Sequence, residues 1–310
     1  MVHDSIALGG IMSFAGSMKT IVVATDMEET SEAALEYARK LATAYGARIV
    51  LAHGLDPIDF VAIEGVPGRV LRKLTEEARA KLDSMSADLL REGIHSHTEV
   101  RQGAVVQMLL DVVHQYNAGL IVLGTRGYRG AGPVAVGTFA EQLVRLSPCP
   151  VLAVSADWNA GEFRPVPGGP VLLAMDQNEA VHAAVDAAGS LASIFKRTLI
   201  VVHARTAAEA SAFLNPGVTT LEQFGIESNG AFPVRCIVKD GHPAEALTQA
   251  IAQFGPSMLV IGVKRKSESR GPHGTAFSLL ASSRVPVLCV PTVAEQVAAD
   301  HEASVSMEIS

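Results

Sequence analysis

Charge of one sign, paired cysteines and long apolar runs are all scarce in this 310-residue chain. The formal net charge is −7, from 25 basic and 32 acidic residues. Such a balance lacks the basic face with which a duplex-DNA binder meets phosphates, so no nucleic-acid partner is expected. Three cysteines, Cys149, Cys236 and Cys289, form no closely spaced pair. Neither a disulfide framework nor a zinc-ligand pattern is expected on that ground. Mean hydropathy is +0.27, yet no stretch of about 20 residues is both apolar and free of breakers, as a spanning helix requires. The longest uncharged candidate, 246–263, contains Gln249, Gln253, Gly255 and Pro256 and reads as helix, turn and buried strand. No membrane partner is expected. Residues 1–17 begin without Lys or Arg and carry Asp4, which is not the positive start of a secretory signal. They read as a short leader, and the expected location is cytoplasmic.

With 48% hydrophobic and 18% charged residues, the chain can bury a sizeable core and is not a disordered one. Its length fits about two domains, and internal repetition says how they are arranged. Segment 19–26 (KTIVVATD) resembles 169–176 (GPVLLAMD), and 47–53 (ARIVLAH) resembles 197–203 (RTLIVVH), both at an offset of 150 residues. Segment 120–124 (LIVLG) resembles 258–262 (MLVIG) at an offset of 138, and 150–154 (PVLAV) resembles 286–290 (PVLCV) at 136. Order is kept while the offset shrinks, the signature of a duplicated domain with deletions in the second copy. The expected division is a leader over 1–17, a first domain over 18–156, a linker over 157–168, a second domain over 169–293 and a tail over 294–310.

Each copy alternates short apolar runs with helical periodicity. In the first copy, 21–24, 49–52, 98–101, 120–123 and 151–154 read as strands. Runs of this kind suit strands covered on both faces. The spacing of Ala34, Ala38, Leu41 and Tyr45 predicts a helix over 31–45, stopped by Gly46. That of Leu71, Leu74, Ala78, Leu82, Met85 and Leu89 predicts a long helix ending at Gly93, and further helices fall over 104–116 and 138–146. The fold class is therefore α/β: two tandem open parallel sheets with helices on both faces, Rossmann-like. In the second copy Pro216, Gly217 and Gly225 interrupt the stretch where the second helix should lie, so that helix is expected to be lost or shortened.

In an open parallel sheet, ligands sit outside the carboxyl ends of the strands. Three segments meet there in the first copy: Thr25-Asp26, His53-Gly54, and the loop after the fourth strand. That loop carries Gly124, Gly127, Gly130, Gly132 and Gly137. Glycines let a backbone approach a ligand and wrap a phosphate with successive N–H groups. The loop feeds the helix starting at Thr138, whose free N–H groups and partial positive charge suit an anion. Arg126 and Arg129 add charge.

The spacing is glycine, two residues, glycine, nine residues, glycine, threonine (Gly124, Gly127, Gly137, Thr138). It resembles the universal stress protein family, whose nucleotide-binding members carry this pattern after the fourth strand. Asp26, His53 and segment 147–154 (SPCPVLAV) match the family's flanking words, and the resemblance covers about 18–155 and 169–292. It implies a tandem member binding ATP, with or without Mg²⁺, across the strand ends of the first copy. By position, Asp26 and Gly54 would lie near the adenosine end. Leu123, Gly124, Arg126 and Gly127 would line the ribose and phosphate path, and Gly137, Thr138 and Phe139 would hold the phosphates. Gly54 departs from the small apolar residue usual in the family, which thins one wall of the base pocket. The resemblance further implies pairing through the fifth strands, internally between the copies over 151–154 and 287–290, and a homodimer of tandem chains.

The second copy keeps Gly262 and Gly274-Thr275 but places Arg265 at the second glycine and has one residue fewer before Gly274. Loss of ATP binding there is the preferred reading, with a site for a different anion as the alternative. His53 and His203 recur at one place and read as hydrogen-bonded strand-end histidines. His95 and His97 have no third metal ligand nearby. Glu28 and Glu29 suit the start of the next helix better than a cation. No nucleophile elbow, Cys–His pair or Walker lysine is present. The expected function is nucleotide-dependent regulation in a stress response, with at most slow ATP hydrolysis. The competing readings are a nucleotide-free interaction module and an ATP-splitting enzyme.

Overall fold

A computed structural model describes residues 13–56, 68–125, 138–155, 168–175, 182–205, 232–264 and 274–292. The first half runs α1 (Phe14–Ser17), β1 (Thr20–Ala24), α2 (Glu29–Tyr45), β2 (Arg48–Leu55), α3 (Gly68–Arg91), β3 (Ser96–Gln102), α4 (Val105–Tyr116), β4 (Leu120–Thr125), α5 (Thr138–Leu146) and β5 (Val151–Ser155). The second runs β6 (Val171–Met175), α6 (His182–Ile194), β7 (Leu199–Arg205), β8 (Val234–Asp240), α7 (Pro243–Phe254), β9 (Met258–Lys264), α8 (Thr275–Ser282) and β10 (Val287–Thr292). The stretch 206–231, where a helix was expected to be lost, lies outside the described residues, as do most of the linker and the tail.

The ten strands form one sheet in the order β3-β2-β1-β4-β5-β10-β9-β6-β7-β8. Within each half every pairing is parallel. The expected pairing of the two fifth strands is present and antiparallel: Val287 faces Ala153, Leu288 faces Leu152 and Cys289 faces Val151. The halves are thus joined edge to edge by backbone hydrogen bonds, and the strand ends of one half point opposite to those of the other.

Apolar residues run unbroken through the central strands because both faces are covered. Ile21, Val22 and Val23 are each wholly buried. Odd and even residues then serve different layers. Ile21, Ile49, Leu120 and Leu152 join Leu41, Leu82 and Leu191 on the face of α2, α3 and α6. Val22, Val50, Ile121 and Val151 join Leu109, Leu143, Leu247 and Leu279 on the face of α4, α5, α7 and α8. Both layers cross the joint without a break. No described helix is long and apolar enough to cross a membrane.

Side chains of α2 reinforce the joint. The Tyr37 hydroxyl donates to the Ser257 carbonyl at 3.1 Å, and the Tyr45 hydroxyl lies 2.9 Å from Ser190 Oγ. The amide of Phe14 donates to Asp186 Oδ2 at 2.6 Å, while its ring meets that of Tyr45 edge-on. Close packing also fixes strand starts. A Cβ on Gly119 would lie 2.0 Å from the Ser17 carbonyl oxygen, and one on Gly169 would lie 2.3 Å from that of Gly255.

Candidate functional site

Register brings the expected segments together. Ala24, the last residue of β1, faces Ala52 of β2 on one side and Leu123 of β4 on the other, and Gly124 of β4 faces Val154 of β5. These strand ends therefore lie at one rim of the sheet, on either side of the central strand.

The turn from β1 into α2 is held from within. Thr25 is buried, and its hydroxyl donates to Ser31 Oγ at 2.9 Å while accepting from the Met27 amide at 2.9 Å. Ser31 Oγ in turn donates to the Glu28 carbonyl at 2.9 Å. Asp26 is exposed, and its Oδ1 accepts from the Glu28 amide at 3.0 Å, closing an Asx turn. Met27 is driven to φ 61°, a conformation uncommon for a residue with a side chain. Asp26 thus stands at the rim on a backbone whose shape is set by Thr25 and Ser31. The Thr25–Ser31 lock was not singled out from the sequence, though a threonine closing a strand six residues before a first-turn serine was its signal. Glu28 takes the N-cap position of α2 in an extended conformation, without a side-chain cap bond, and the helix begins at Glu29.

His53 ties the neighbouring strand end to this turn, its Nδ1–H donating to the Thr25 carbonyl at 2.8 Å. His203 repeats the bond in the second half, reaching the Met175 carbonyl at 3.3 Å from a buried position. Both histidines therefore act as strand-end fasteners. Gly54 follows on the face turned toward α4. A Cβ there would lie 2.8 Å from Met108 Cε and 3.0 Å from both Val105 methyls. The expected thinning of the wall is thus offset: α4 closes onto the strand, and Val105 and Met108 fill the place of the missing side chain.

Leu123 is buried in the layer shared with Ala24, Ala52 and Ala140. Gly124 is half-buried and ends close to the rim. Arg126, Gly127 and Gly137, together with Arg129, lie outside the described residues. Thr138 opens α5, as expected, and Phe139 is half-buried against the α4–α5 layer. Glu141 in the first turn would oppose an anion at this helix start, but Arg145 holds it, with Nη2 at 2.8 Å and Nε at 3.2 Å from Oε1. That pair cancels the unfavourable charge one turn inside the helix.

In the second half, β9 ends at Lys264 and α8 begins at Thr275, capped by Gly274 in an extended conformation (φ −130°). Arg265 and its neighbours lie outside the described residues. Elsewhere the described residues hold no group of three His, Cys, Asp or Glu that could bind a metal. The His97 and Tyr116 rings meet at a tilt of 37° with centroids 5.7 Å apart, within a polar cluster on the outer strand. There, burial pushes the Glu99 carboxyl up, but Arg101, Tyr116 and Gln115 donate to it and together hold it below its ordinary range. Cys289 is buried, which pushes its thiol up to about 12; burial also raises that of Cys236.

The universal stress protein family model matches residues 18–155 and again 169–291. The chain belongs to the universal stress protein family. Its two halves are two family domains in tandem. A universal stress protein of Mycolicibacterium smegmatis is 30% identical over 190 residues, 59% of this chain and 63% of that one. A universal stress protein of Methanocaldococcus jannaschii is 29% identical over 138 residues, 44% of this chain and 81% of its own length. The crystal structure of a universal stress protein from Archaeoglobus fulgidus superposes over 88% of this chain and 98% of its own, with TM-score 0.72 at 18% identity. That likeness is one of fold, and it spans both halves of this tandem universal stress protein.

Proposed function

We propose that this tandem universal stress protein binds one adenine nucleotide, ATP with or without Mg²⁺, at the rim of its first half. Occupancy there would regulate its engagement of partners in a stress response. The observation that carries this reading is convergence. Thr25-Asp26, His53-Gly54 and Leu123-Gly124 close neighbouring strands at one rim, and α5 begins at Thr138 after the loop that leaves β4. In sequence they are joined by the family's Gly124, Gly127, Gly137, Thr138 spacing. In this reading Asp26 and the backbone at Gly54 meet the adenosine. Leu123 supplies the floor, Gly124, Arg126 and Gly127 follow the ribose and phosphates, and Gly137, Thr138 and Phe139 close the phosphate end. In this reading ATP is held rather than turned over, with hydrolysis slower than about one turnover per minute against ~10 per second for an ordinary enzyme.

The second half would carry no nucleotide, because Arg265 replaces the glycine that must approach the phosphates. Since β5 is consumed by β10 within one chain, a homodimer of tandem chains would pair through another surface. A cytoplasmic protein without nucleic-acid partners is in keeping with the acidic balance of −7.

Titration calorimetry with Mg·ATP tests the assignment. Wild-type protein should bind at about one site, and Asp26→Ala and Gly127→Glu should each abolish binding while leaving the circular dichroism spectrum unchanged. Affinity that survives both substitutions places the site elsewhere. The rival reading, a nucleotide-free interaction module built on the edge-to-edge joint, requires that wild-type protein bind no nucleotide at all.

A further inference from the structure

The two helices that follow the glycine loops, α5 and α8, meet across the joint. The guanidinium of Arg145, in the last turn of α5, sits 4.5 Å from the centroid of the Phe277 ring. Phe277 is the third residue of α8 and is buried. Its ring also runs beneath Gly274, the last residue of the second copy's loop, where a Cβ would come within 3.4 Å of Phe277 Cδ2. Glu141 orients the guanidinium by holding Nε and Nη2 together. A continuous run of contact therefore leads from the helix whose start is the phosphate end of the first site to the loop of the second copy.

The run has no mirror image. Counted from Gly137 and Gly274, the residue matching Arg145 is Ser282, and the residue matching Phe277 is Ala140. Neither can form a cation–π contact. The asymmetry parallels that of the loops, intact in the first copy and altered in the second.

We propose that α5 and α8 act as one coupled pair, in which anion capture at the start of α5 is transmitted through Arg145 and Phe277 to the first turn of α8. The proposal rests on the nucleotide reading above. Nine helical residues span only about 13 Å, so α5 responds as a rigid body, and tightening its first turn moves or steadies Arg145 at its other end. A partner binding over α8 would then sense the nucleotide state of the other half. A contact of this type limits the coupling to about fivefold in affinity (~1 kcal/mol).

Hydrogen exchange read by mass spectrometry, on full-length protein with and without Mg·ATP, tests this. Wild-type protein should show slowed exchange at 274–282 when ATP binds. Phe277→Leu, which removes the ring and leaves Arg145 holding Glu141, should bind ATP within about fivefold of wild type and lose that protection. Gly127→Glu should neither bind nor protect. Protection that persists in Phe277→Leu, or its absence from wild-type protein that does bind ATP, overturns the coupling alone. Protection in Gly127→Glu overturns it by showing that the second loop binds for itself. Failure of wild-type protein to bind ATP removes the nucleotide reading and the coupling together.

Discussion

Tyr37 gives the sharpest test of how the two halves are joined. Its hydroxyl is buried and donates to the Ser257 carbonyl of the other half. Burial holds the phenol well above its ordinary value of 10.0, with Arg197 only partly offsetting the shift. Replacing it in Tyr37→Phe removes one hydrogen bond and should cost about 1 kcal/mol at neutral pH. At alkaline pH the sign reverses. The folded-state pKa is raised, so the stabilising contribution of the neutral phenol is complete below the unfolded value of 10.0 and is lost as pH rises toward the folded value. Above pH 10 wild-type protein should therefore lose ~1.4 kcal/mol per pH unit relative to the variant. The two stability curves should cross about 0.7 unit above 10, the ratio of those two figures. Tyr45, also raised by burial, is common to both proteins and cancels in the comparison. Urea unfolding of both proteins near pH 8, about pH 10 and about pH 11 measures the difference. A deficit of the variant that stays constant across that range refutes the buried, neutral phenol at the joint.

Other outcomes follow from single contacts. Leu288→Ala removes a fully buried side chain on the strand that pairs with β5 and should cost about 2–5 kcal/mol in one cooperative transition; separate unfolding of the halves would contradict the shared core. Gly119→Ala sets a methyl 2.0 Å from the Ser17 carbonyl oxygen and should lower stability by about 1–3 kcal/mol or more in the same denaturant assay. In native protein a thiol reagent near pH 8 should reach half-buried Cys236 before Cys149 and Cys289, which are buried; prompt labelling of Cys289 would argue against a thiol held up to about 12.

Much of this was legible in the sequence because repetition and periodicity are local signals. The α5 span was read as 138–146 and is Thr138–Leu146, since its apolar spacing and its glycine start agree. The fifth-strand pairing was implied by the family resemblance, and the matched 150–154 and 286–290 segments said which strands would take part. Outer elements were read short. β3 spans Ser96–Gln102 rather than 98–101, because an edge strand exposes alternate residues and its ends carry no apolar signal. β2 runs on to Leu55, because His53 and Gly54 look like loop residues until the Thr25 carbonyl and Met108 supply their partners. Tyr45 was legible as one residue of an apolar helix face, but periodicity cannot say that the face meets Ser190 in the other half. The Thr25–Ser31 lock and the Arg145–Phe277 contact were missed for the same reason: each depends on two segments meeting in space. The deciding glycines 127 and 137 were legible only as spacing, and their positions fall outside the described residues.

The central claim is that one half holds an adenine nucleotide and the other does not. The most direct measurement is to purify the protein without added nucleotide, denature it, and identify the released small molecules by chromatography and mass spectrometry. About one adenine nucleotide per chain is the predicted result, falling to none in Gly127→Glu. About two per chain would contradict the loss of the second site at Arg265. None, joined with no calorimetric binding of added Mg·ATP, would contradict the nucleotide reading itself.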